Sequence, residues 1–458
     1  MRFKHTFLMV LMVFLVFPLA IQAQTEDTEP QTGVLLKSDL AFEGYTLFAP
    51  LIGNAAYLID LDGEVVKSWE LEGTTSQVPY LLENGNLIYQ TGANSAMLPL
   101  FGEVGGVAGG MREYTWDGEL VWSFEYAGDT YIQHHDIEPL PNGNILMIAW
   151  EAIPSEEALA LGMNPDLLPE GDTIWPDHIV EVDPRTNEIV WKWRVWDHLI
   201  QDYDPNLPNY GDVRQHPERI DINYVGPQQR LGDWQHSNSI NYNAELDQIV
   251  ISTRNFSEIW VIDHSTTTEE AAGSTGGRSG MGGDLLYRWG NPVTYRAGTA
   301  EDQQLYYQHD AHWIKPGLPG EGNMLIFNNG DHTTNRPYST VVEIALPLLE
   351  DGTYQRIDGA YAPAEIVWEY VADPPESLYA AFVSSAQRLP NGNTMIVDGT
   401  GGRFLEVTPE GEIVWHYVNG FLGSMPANEF FSPTSVFQAQ RYAPDYPGLL
   451  VHTLESSG

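Results

Sequence analysis

A short phrase that ends in tryptophan returns along the chain and constrains the fold more than any other feature. Its clearest copies, each reading Glu-Leu-Val-Trp or Glu-Ile-Val-Trp, are residues 119–122, 188–191, 365–368 and 412–415. Weaker copies lie at residues 64–67 and 284–289. Six near-copies indicate a repeat architecture, in which each repeat is one supersecondary unit that packs against its neighbours.

A second phrase, built around Asn-Gly or Gly-Asn, alternates with the first. It occurs at residues 82–86, 140–144, 320–323 and 389–393, each time before an apolar run. Asn-Gly before such a run is a hairpin signal. Two hairpins in each unit of roughly 50 to 70 residues are typical of a propeller blade. We therefore predict an all-β fold, a six-bladed β-propeller with four-stranded blades and long inserted loops.

The N-terminal residues predict export. Residues 1–23 have the features of a signal peptide, with Arg2 and Lys4 before an apolar stretch at 7–20 and Ala23 as a cleavage point. An uncleaved membrane anchor is the alternative, although the stretch is near the lower limit for a bilayer span. The predicted location is periplasmic or secreted, with no membrane partner after cleavage.

The rest of the chain is expected to form one unit. We predict a flexible N-terminus at residues 24–32 and a single propeller domain at residues 33–458. A strand at residues 435–441 is expected to close the ring against an N-terminal strand and so remove an exposed sheet edge.

Composition excludes several classes of function. The chain has no cysteine, which excludes a thiol nucleophile and a thiolate metal site. Its formal net charge of −42 repels nucleic acid and anionic membranes, so we expect no nucleic-acid partner. So acidic a surface fits a saline habitat and an ordinary acidic secreted protein equally well.

Two insertions interrupt the strand pattern. Residues 151–177 contain a segment at 155–161 that predicts a short capped helix. Residues 196–233 are rich in Asp, Pro, Asn and Tyr. Long loops in compact domains are often lids or binding loops, and surface decoration is the alternative.

Three histidines occupy comparable places near the start of a blade's inner portion. They are His135, His236 and His309, and Arg254 ends the strand that follows His236. If the innermost strands line the axis, these four side chains face one funnel. The fourth equivalent position, at residues 384–387, holds no histidine, so the predicted site is asymmetric.

Two other interpretations of these histidines compete with a catalytic one. Each imidazole could be a turn residue bonded to its own neighbouring aspartate, or the three could bind zinc. The fixed cation of Arg254 disfavours a divalent ion and favours an anionic group, so we predict no metal and no cofactor. The remaining histidines are interpreted as structural or surface residues: His134, His178, His198, His216, His264, His312, His332, His416 and His452.

An imidazole beside a guanidinium suits group transfer. A neutral imidazole can attack phosphorus or sulfur and form a covalent intermediate. Charge on the oxygens of the transferred group needs Arg or protonated His nearby, and a second histidine can protonate the leaving oxygen.

The motifs around these residues resemble those of the bacterial aryl-sulfate sulfotransferases. The phrases that carry the resemblance are Gln133-His134-His135-Asp136, His236-Ser237-Asn238 with Arg254 placed 18 residues after His236, residues 283–292, and Gln308-His309-Asp310. The match runs from about residue 33 to the C-terminus. Enterobacterial members also carry an N-terminal β-domain and a disulfide, and we expect neither here.

The resemblance implies a six-bladed propeller that moves a sulfuryl group from a phenolic sulfate ester to a phenol acceptor through a sulfohistidine, without a nucleotide donor. It implies that His309 is the nucleophile. It also implies that His135, His236 and Arg254 hold the sulfuryl oxygens, and that one histidine serves the phenolic oxygen. Asn238 is implied as a substrate-binding residue of the same pocket.

Two other functions stay open at the level of sequence. One is a propeller that binds a carbohydrate or protein without catalysis. The other is a quinone-dependent dehydrogenase, because tryptophan-bearing propeller repeats occur there too, generally eight of them. The identities of donor and acceptor and the oligomeric state are not predicted.

Overall fold

Six antiparallel sheets, each with at least four strands, are arranged as the blades of a propeller. The computed structural model describes residues 31–73, 75–92, 98–101, 104–168, 171, 173–229, 232–334, 336–452 and 454. The six-bladed fold predicted from the repeats is confirmed. The predicted signal peptide and residues 24–30 of the predicted flexible N-terminus lie outside the described residues, and the domain boundary at residue 33 stays a prediction.

The strands are short and follow one another closely along the chain. In the first half they are β1 (Gly33–Lys37), β2 (Tyr45–Pro50), β3 (Ala55–Ile59), β4 (Val65–Glu70), β5 (Thr75–Leu81), β6 (Leu87–Gly92), β7 (Gly109–Tyr114), β8 (Leu120–Glu125), β9 (Tyr131–Pro139), β10 (Ile145–Glu151), β11 (Ile153–Pro154), β12 (Thr173–Ile174), β13 (Asp177–Asp183), β14 (Glu188–Arg194), β15 (Leu199–Ile200) and β16 (Ile220–Asp221).

In the second half they are β17 (Ser237–Asn243), β18 (Gln248–Thr253), β19 (Glu258–Asp263), β20 (Tyr287–Trp289), β21 (His309–Trp313), β22 (Met324–Asn328), β23 (Thr340–Ala345), β24 (Arg356–Ile357), β25 (Ala360–Tyr361), β26 (Glu365–Val371), β27 (Ser385–Arg388), β28 (Thr394–Asp398), β29 (Arg403–Val407), β30 (Ile413–Val418) and β31 (Val436–Tyr442). Short α-helices are α1 (Leu98–Phe101), α2 (Ser155–Ala160), α3 (Thr268–Ala271) and α4 (Pro447–Leu450). Single 3-10 turns occur at Pro165–Leu167, Val195–Asp197, Val213–Gln215, Arg254–Phe256, Pro292–Tyr295, Ala300–Asp302 and Pro375–Ser377.

The strands of each blade are given in order from the innermost strand outward. Blade 1 is β31-β2-β3-β4, blade 2 is β5-β6-β7-β8, blade 3 is β9-β10-β13-β14, blade 4 is β17-β18-β19-β20, blade 5 is β21-β22-β23-β26, and blade 6 is β27-β28-β29-β30 with β1 added outside β30. The innermost strands β5, β9, β17, β21, β27 and β31 pack on one another in that order around the axis. Fully buried tryptophans contribute to the core, among them Trp193, Trp260 and Trp415.

The ring is closed by strands from both ends of the sequence. β31, near the C-terminus, forms the innermost strand of blade 1 and pairs antiparallel with β2. β1, near the N-terminus, pairs with β30 at the outside of blade 6. The predicted closing strand at residues 435–441 is confirmed, since β31 spans Val436–Tyr442. Hydrogen bonds between strands thus join the ends of a chain that contains no cysteine.

The two sequence phrases occupy fixed places in the blades. The Asn-Gly phrase turns the chain from the first to the second strand, and its glycines have a left-handed φ of 84° at Gly85, 85° at Gly143 and 91° at Gly392. Glycine adopts this conformation without steric cost. The Glu-x-x-Trp phrase begins the fourth strand of its blade, counted from the axis.

Together the two phrases form a staple between neighbouring blades. In blade 6, Asn393 donates to Oε1 of Glu406 over 2.7 Å, and Arg441 of blade 1 donates to Oε2 of the same carboxylate over 2.6 Å. The Arg441 guanidinium lies 4.3 Å from the ring of Trp415, the tryptophan of the second phrase. The repeats therefore encode contacts between blades as well as hairpins.

The same staple recurs between other blades, with arginine in one case and histidine in another. Glu343 accepts from Asn323 of its own blade and from Arg388 of the next, over 2.5 and 2.7 Å. At the interface between blades 3 and 4, His264 takes the place of arginine and lies 2.9 Å from Oε2 of Glu181.

The described residues of both insertions include secondary structure. The predicted helix in the first insertion is present as α2, but its predicted cap is wrong. Pro154 stands at the N-cap position and makes no side-chain capping hydrogen bond. The second insertion contains the parallel pair β15 and β16 and brings Gln228 and Asp233 to the axis. In the described residues no helix is long and apolar enough to span a bilayer.

Candidate active site

β-Bulges interrupt the innermost strands of blades 3, 4 and 5 at similar places. In β9, Gln133 pairs with Ala149 and Ile137 with Met147, so residues 134–136 face a single residue of β10. In β17, Ser237 and Ser239 pair with consecutive residues of β18, which leaves Asn238 as the extra residue, and β21 is irregular between His309 and His312. Bulges bend a strand and redirect its side chains, and they are common beside active sites.

Left-handed backbone accompanies the bulges. The φ angle is 53° at His135, 54° at His236 and 52° at Asp310. Such values are uncommon for residues other than glycine and store strain that the surrounding structure must offset. The strained positions coincide with the histidine motifs that the sequence singled out.

The structure brings the four predicted catalytic side chains together at the axis. The rings of His135 and His236 lie 4.4 Å apart, edge to face. Phe437 of β31 lies 6.0 Å from the His135 ring and 6.1 Å from the His309 ring. Burial is the largest cause of the lowered pKa of both His135 and His309, and the cation of Arg254 lowers each further.

The His309 imidazole is held as one neutral tautomer. Its Nδ1 lies 2.8 Å from Oδ1 of Asn329 and 3.2 Å from the backbone oxygen of Tyr307, both acceptors, so Nδ1 carries the proton. Nε2 then holds a lone pair, which accepts the backbone N–H of Val383 over 3.1 Å. Burial, followed by the positive charge of Arg254, holds the pKa of His309 well below its usual value. Nε2 is thus available as a nucleophile.

His236 forms a close pair with a carboxylate. Its Nδ1 donates to Oδ2 of Asp233 over 2.5 Å, and both side chains are largely buried. A carboxylate at Nδ1 orients the ring and stabilises its protonated form, as in the acid–base dyads of hydrolases. Nε2 of His236 can therefore carry a proton toward a substrate oxygen.

Arg254 is fixed by contacts on several sides. It begins the 3-10 turn after β18, and its two terminal nitrogens donate to Oδ1 of Asn255 over 3.2 Å and Oε1 of Gln228 over 3.0 Å. The rings of Tyr307 and Phe382 lie 4.9 and 5.0 Å from the guanidinium carbon. A buried and rigid guanidinium is well suited to bind an anionic oxygen cluster.

His135 is buried and packed tightly. Its Nδ1 lies 2.7 Å from Nδ1 of His134, which was predicted to be structural or at the surface and is fully buried next to the site. A Cβ atom at Gly106 would stand 2.0 Å from Cε1 of the His135 ring, so glycine is required there. Burial, followed by the neighbouring His236, His134, His309 and Arg254, lowers the pKa of His135 well below its usual value.

Asn238 lies beside the site. It is fully buried on β17, and its Nδ2 donates to the backbone oxygen of Gln308 over 2.8 Å. That contact holds the residue immediately before His309. Its predicted role in binding substrate stays a prediction.

The interpretation of His135 and His309 as turn residues bonded to their own aspartates is wrong. Asp136, beside His135, accepts the Tyr80 hydroxyl over 2.7 Å and the backbone N–H of Ile240 over 3.1 Å. Asp310, beside His309, accepts the backbone N–H of Ala386 over 2.9 Å. These carboxylates bond to residues of neighbouring blades and not to the adjacent imidazoles, whose rings lie at the axis.

Several residues of the site carry no signal in the sequence. Asn329, Phe382, Val383, Gln228 and Phe437 reach it from other strands and loops or from the second insertion. Asp233 was detectable in principle, since it stands three residues before His236 on the same turn.

Three aromatic residues close in sequence to Arg254 or His309 lie in different places. Tyr307 lies at the site, against the guanidinium of Arg254. Phe256 and Trp313 belong to hydrophobic clusters of the core.

The zinc alternative finds no ligand set in the described part of the chain. There, no group of three or more His, Asp or Glu side chains has the arrangement of a metal site. His236 and His309 each form a hydrogen bond through Nδ1, to Asp233 and to Asn329.

Comparison with known families agrees with the motifs. The model described as Arylsulfotransferase (ASST) matches residues 52–416, which include all four side chains. The chain belongs to the arylsulfotransferase family. The resemblance found in the sequence is confirmed, and the six blades differ from the eight repeats expected of a quinone-dependent dehydrogenase.

A curated relative in this family is the arylsulfate sulfotransferase AssT of Escherichia coli O6:H1. It is 28% identical to this arylsulfotransferase-family chain over 253 residues, which is 49% of this chain and 39% of the relative. The matched segment thus spans about two fifths of the relative's length.

Solved structures resemble the chain more distantly. A protein of unknown function from Bacteroides caccae is 14% identical, with a TM-score of 0.46 and coverage of 87% of this chain and 98% of that one. Virginiamycin B lyase from Staphylococcus aureus is 11% identical, with a TM-score of 0.38 and coverage of 86% and 87%.

Proposed function

We propose that the protein is an exported arylsulfate sulfotransferase, which moves a sulfuryl group from a phenolic sulfate ester to a phenol by a ping-pong route through His309. Membership of the arylsulfotransferase family supports the reaction class. The observation that carries the mechanism is the neutral His309 imidazole, with Nδ1 locked to Asn329 and its Nε2 lone pair near the Arg254 cation.

In the first half-reaction, Nε2 of His309 attacks the sulfur of the ester. A nitrogen–sulfur bond forms, the bond between sulfur and the phenolic oxygen breaks, and the electron pair goes to that oxygen. The imidazolium of His236, stabilised by Asp233, gives the oxygen its proton. The free phenol then leaves, and the sulfuryl group stays on His309.

The second half-reaction reverses these events with another phenol. Nε2 of the now neutral His236 takes the proton of the acceptor hydroxyl as its oxygen attacks the sulfur. The nitrogen–sulfur bond breaks, and its electron pair returns to His309. One proton leaves and returns to His236, so the cycle balances without a nucleotide or another reactant.

The charge on the sulfuryl oxygens meets donors that are already in place. Arg254 supplies a fixed cation, held by Asn255 and Gln228. The backbone N–H of Val383 bonds to Nε2 of His309 in the absence of substrate, and it can donate to a sulfuryl oxygen once that nitrogen bonds to sulfur. Preorganised donors of this kind are typically the largest single contribution to catalysis of group transfer.

The proposed substrates are aromatic anions and phenols. Tyr307 and Phe382 flank the guanidinium of Arg254 and give an aryl ring apolar surface beside the cation. Their position favours an ester whose aryl group stacks on these rings while its sulfate meets Arg254.

Mass spectrometry of the protein after mixing with 4-nitrophenyl sulfate tests the proposal. We expect release of 4-nitrophenol and a sulfuryl adduct on the peptide that contains His309, and loss of that adduct when a second phenol is added. The variant His309→Asn should show neither, while His216→Asn, at an exposed histidine bonded to Glu218, should keep both. Full transfer by His309→Asn would falsify the assignment of His309 as the nucleophile. Absence of any transfer by the natural protein would favour a propeller that binds its ligand without catalysis.

Export is part of the proposal and needs its own test. Residues 1–23 have the charge and hydropathy of a signal peptide. Expression in a bacterium followed by N-terminal sequencing should give a mature chain that starts at Gln24 in the periplasm or medium. Recovery of an intact N-terminus in the cytoplasm or in the membrane would contradict export with cleavage.

A further inference from the structure

Three buried side chains form a line that ends at the site. Oδ1 of Asp177 lies 3.2 Å from Nε2 of His134, and Nδ1 of His134 lies 2.7 Å from Nδ1 of His135. The side chains of Asp177 and His134 are fully buried, and the ring of Trp150 stacks on His134 at 3.9 Å. Nothing in the proposed mechanism uses Asp177 or His134.

The carboxylate determines where the His134 proton lies. The contact between Asp177 and His134 is bent relative to a good hydrogen bond, so it acts as a short electrostatic contact. A lone pair on Nε2 facing a buried carboxylate at this distance would be repelled, because a low-dielectric interior strengthens such interactions. Nε2 of His134 therefore carries hydrogen.

The tautomer of His135 follows from that of His134. When both rings are neutral, Nδ1 of His134 has a lone pair, so Nδ1 of His135 must donate to it. Nε2 of His135 is then an acceptor. An acceptor repels the oxygens of a sulfate ester, whereas a donor binds them.

Adding one proton to the two-histidine pair changes this state. With one imidazolium shared between them, Nδ1 of His135 still donates to His134, and Nε2 of His135 becomes a second donor. The carboxylate of Asp177 lies close to the added charge and compensates it, as paired carboxylates do for buried imidazolium.

We propose, building on the proposed function, that Asp177 and His134 act as a positioning relay for His135, and that binding of the sulfate ester takes up one proton onto this pair. The proton comes from solvent and leaves when the anion leaves. The relay thereby couples the negative charge of the bound sulfate ester to the hydrogen-bonding state of His135.

The charged groups around His135 agree with proton uptake on binding. Burial lowers the pKa of His135 most, and His236, His134, His309 and Arg254 all lower it further. A bound sulfate ester brings negative charge to the site, and that charge favours a proton on the pair of His134 and His135.

His134 has a partly compensated environment. Burial lowers its pKa most, Asp177 and Asp233 oppose that effect, and His236 adds to it. His178 is another histidine whose pKa responds to the charge of His134, and burial keeps the pKa of His178 well below its usual value. The free pair is therefore neutral near pH 7.

The variant Asp177→Asn reverses the relay with almost no change in shape. Oδ2 of Asp177 accepts the backbone N–H of Ser237 over 2.8 Å. In the variant the amide oxygen must therefore face Ser237, and its NH₂ must face Nε2 of His134. Nδ1 of His134 then donates to His135, and Nε2 of His135 carries hydrogen without any added proton.

Calorimetric titration with 4-nitrophenyl sulfate, in a His309→Asn background that cannot consume it, measures the proton. In two buffers of different ionisation enthalpy we expect uptake of about one proton per bound ester near pH 7. Affinity should fall about tenfold per pH unit between the pKa of the free pair and that of the complex. Adding Asp177→Asn should abolish both effects. The buried-aspartate control Asp263→Asn should keep them, which separates the relay from a general loss of stability.

Nitrogen NMR of ¹⁵N-histidine protein tests the relay without any ester. Nε2 of His135, assigned with His135→Gln, should show the shift of a lone-pair nitrogen in the natural protein and of a protonated one in Asp177→Asn. Protonated Nε2 in the free natural protein at pH 7, or unchanged proton uptake in Asp177→Asn, would overturn the relay. Failure of the proposed function is separate, because it would appear as an absent His309 adduct with the predicted NMR shifts intact.

Discussion

The backbone N–H of Val383 donates to Nε2 of His309 over 3.1 Å, although the two residues stand 74 positions apart. Val383 has a φ of 50° and is β-branched, a combination that costs roughly 1 to 3 kcal/mol. The neighbouring segment is held by Asn329, whose Nδ2 donates to the backbone oxygen of Val383 over 3.0 Å. The structure thus holds the backbone N–H of Val383, a residue in a strained conformation, against the nucleophilic nitrogen of His309.

Removing this amide proton should impair catalysis. Replacing Val383 by its α-hydroxy acid analogue through nonsense suppression exchanges the N–H for an ester oxygen and keeps the side chain. We expect kcat to fall about 100-fold or more, the usual cost of losing one donor to a developing anion. Val383→Gly keeps the N–H and adopts the left-handed backbone without strain, so it should retain most of kcat. Thermal melting of both variants controls for misfolding. If the ester variant has the same kcat as the natural protein and Val383→Gly, the amide has no part in catalysis.

The glycine at position 106 should be essential for a steric reason. Gly106 and Gly118 share a φ of 90°, but a Cβ would strike the His135 ring at the first and meet nothing within 4 Å at the second. Alanine at either position should cost about 1 kcal/mol or more through backbone strain. Only Gly106→Ala should also reduce transfer from 4-nitrophenyl sulfate, and equal activity of the two variants would contradict the tight packing.

The staple at His264 should make stability depend on pH. Burial opposes protonation of His264, but hydrogen bonds to Glu181 and Asp247 outweigh it and raise the pKa above 6.5. A group with a raised folded pKa stabilises fully below its unfolded pKa and loses that effect as pH rises through the folded pKa. We expect the natural protein to exceed His264→Gln in free energy of unfolding by about 2 kcal/mol at pH 6, with the difference shrinking at alkaline pH.

Urea unfolding at several pH values measures this difference. Arg388→Gln is a useful control, because arginine stays charged throughout and its staple should contribute without such a pH dependence. A constant difference between the natural protein and His264→Gln would mean that the imidazolium is not the stabilising form.

Salt should speed capture of the donor. The chain carries a net charge of −42, which repels an anionic ester at long range, whereas Arg254 attracts it only locally. Screening weakens the long-range repulsion first, so kcat/KM should rise with added salt from low ionic strength. Stopped-flow release of 4-nitrophenol measures it, and a fall with salt would contradict this account.

Much of the fold was readable from short stretches of the chain. The Asn-Gly turns depend on the left-handed backbone that glycine adopts at Gly85, Gly143 and Gly392. The strands that start with Glu-x-x-Trp follow the alternation of side chains along a strand. Both properties are set within a few residues of sequence. The number of repeats predicted six blades, and the strand predicted at residues 435–441 closes the ring. The cap expected for α2 was wrong because Pro154, whose side chain cannot accept a hydrogen bond, stands at the N-cap.

The site was readable only in part. His135, His236 and His309 share a phase in the repeat, so ring closure had to bring them near one axis. Their chemistry depends on partners that no repeat encodes.

The hairpin signals and the phase of the repeats are local properties of the sequence. They determine the blades, and once the ring closes they also place the histidines near the axis. The position of the proton on each imidazole does not follow from them. It depends on Asn329, Val383, Asp233 and Asp177, whose contacts arise from bulges, from the second insertion and from neighbouring strands. A tautomer is fixed by the acceptor or donor that packing places against the ring, and packing between distant segments leaves no pattern in the local sequence.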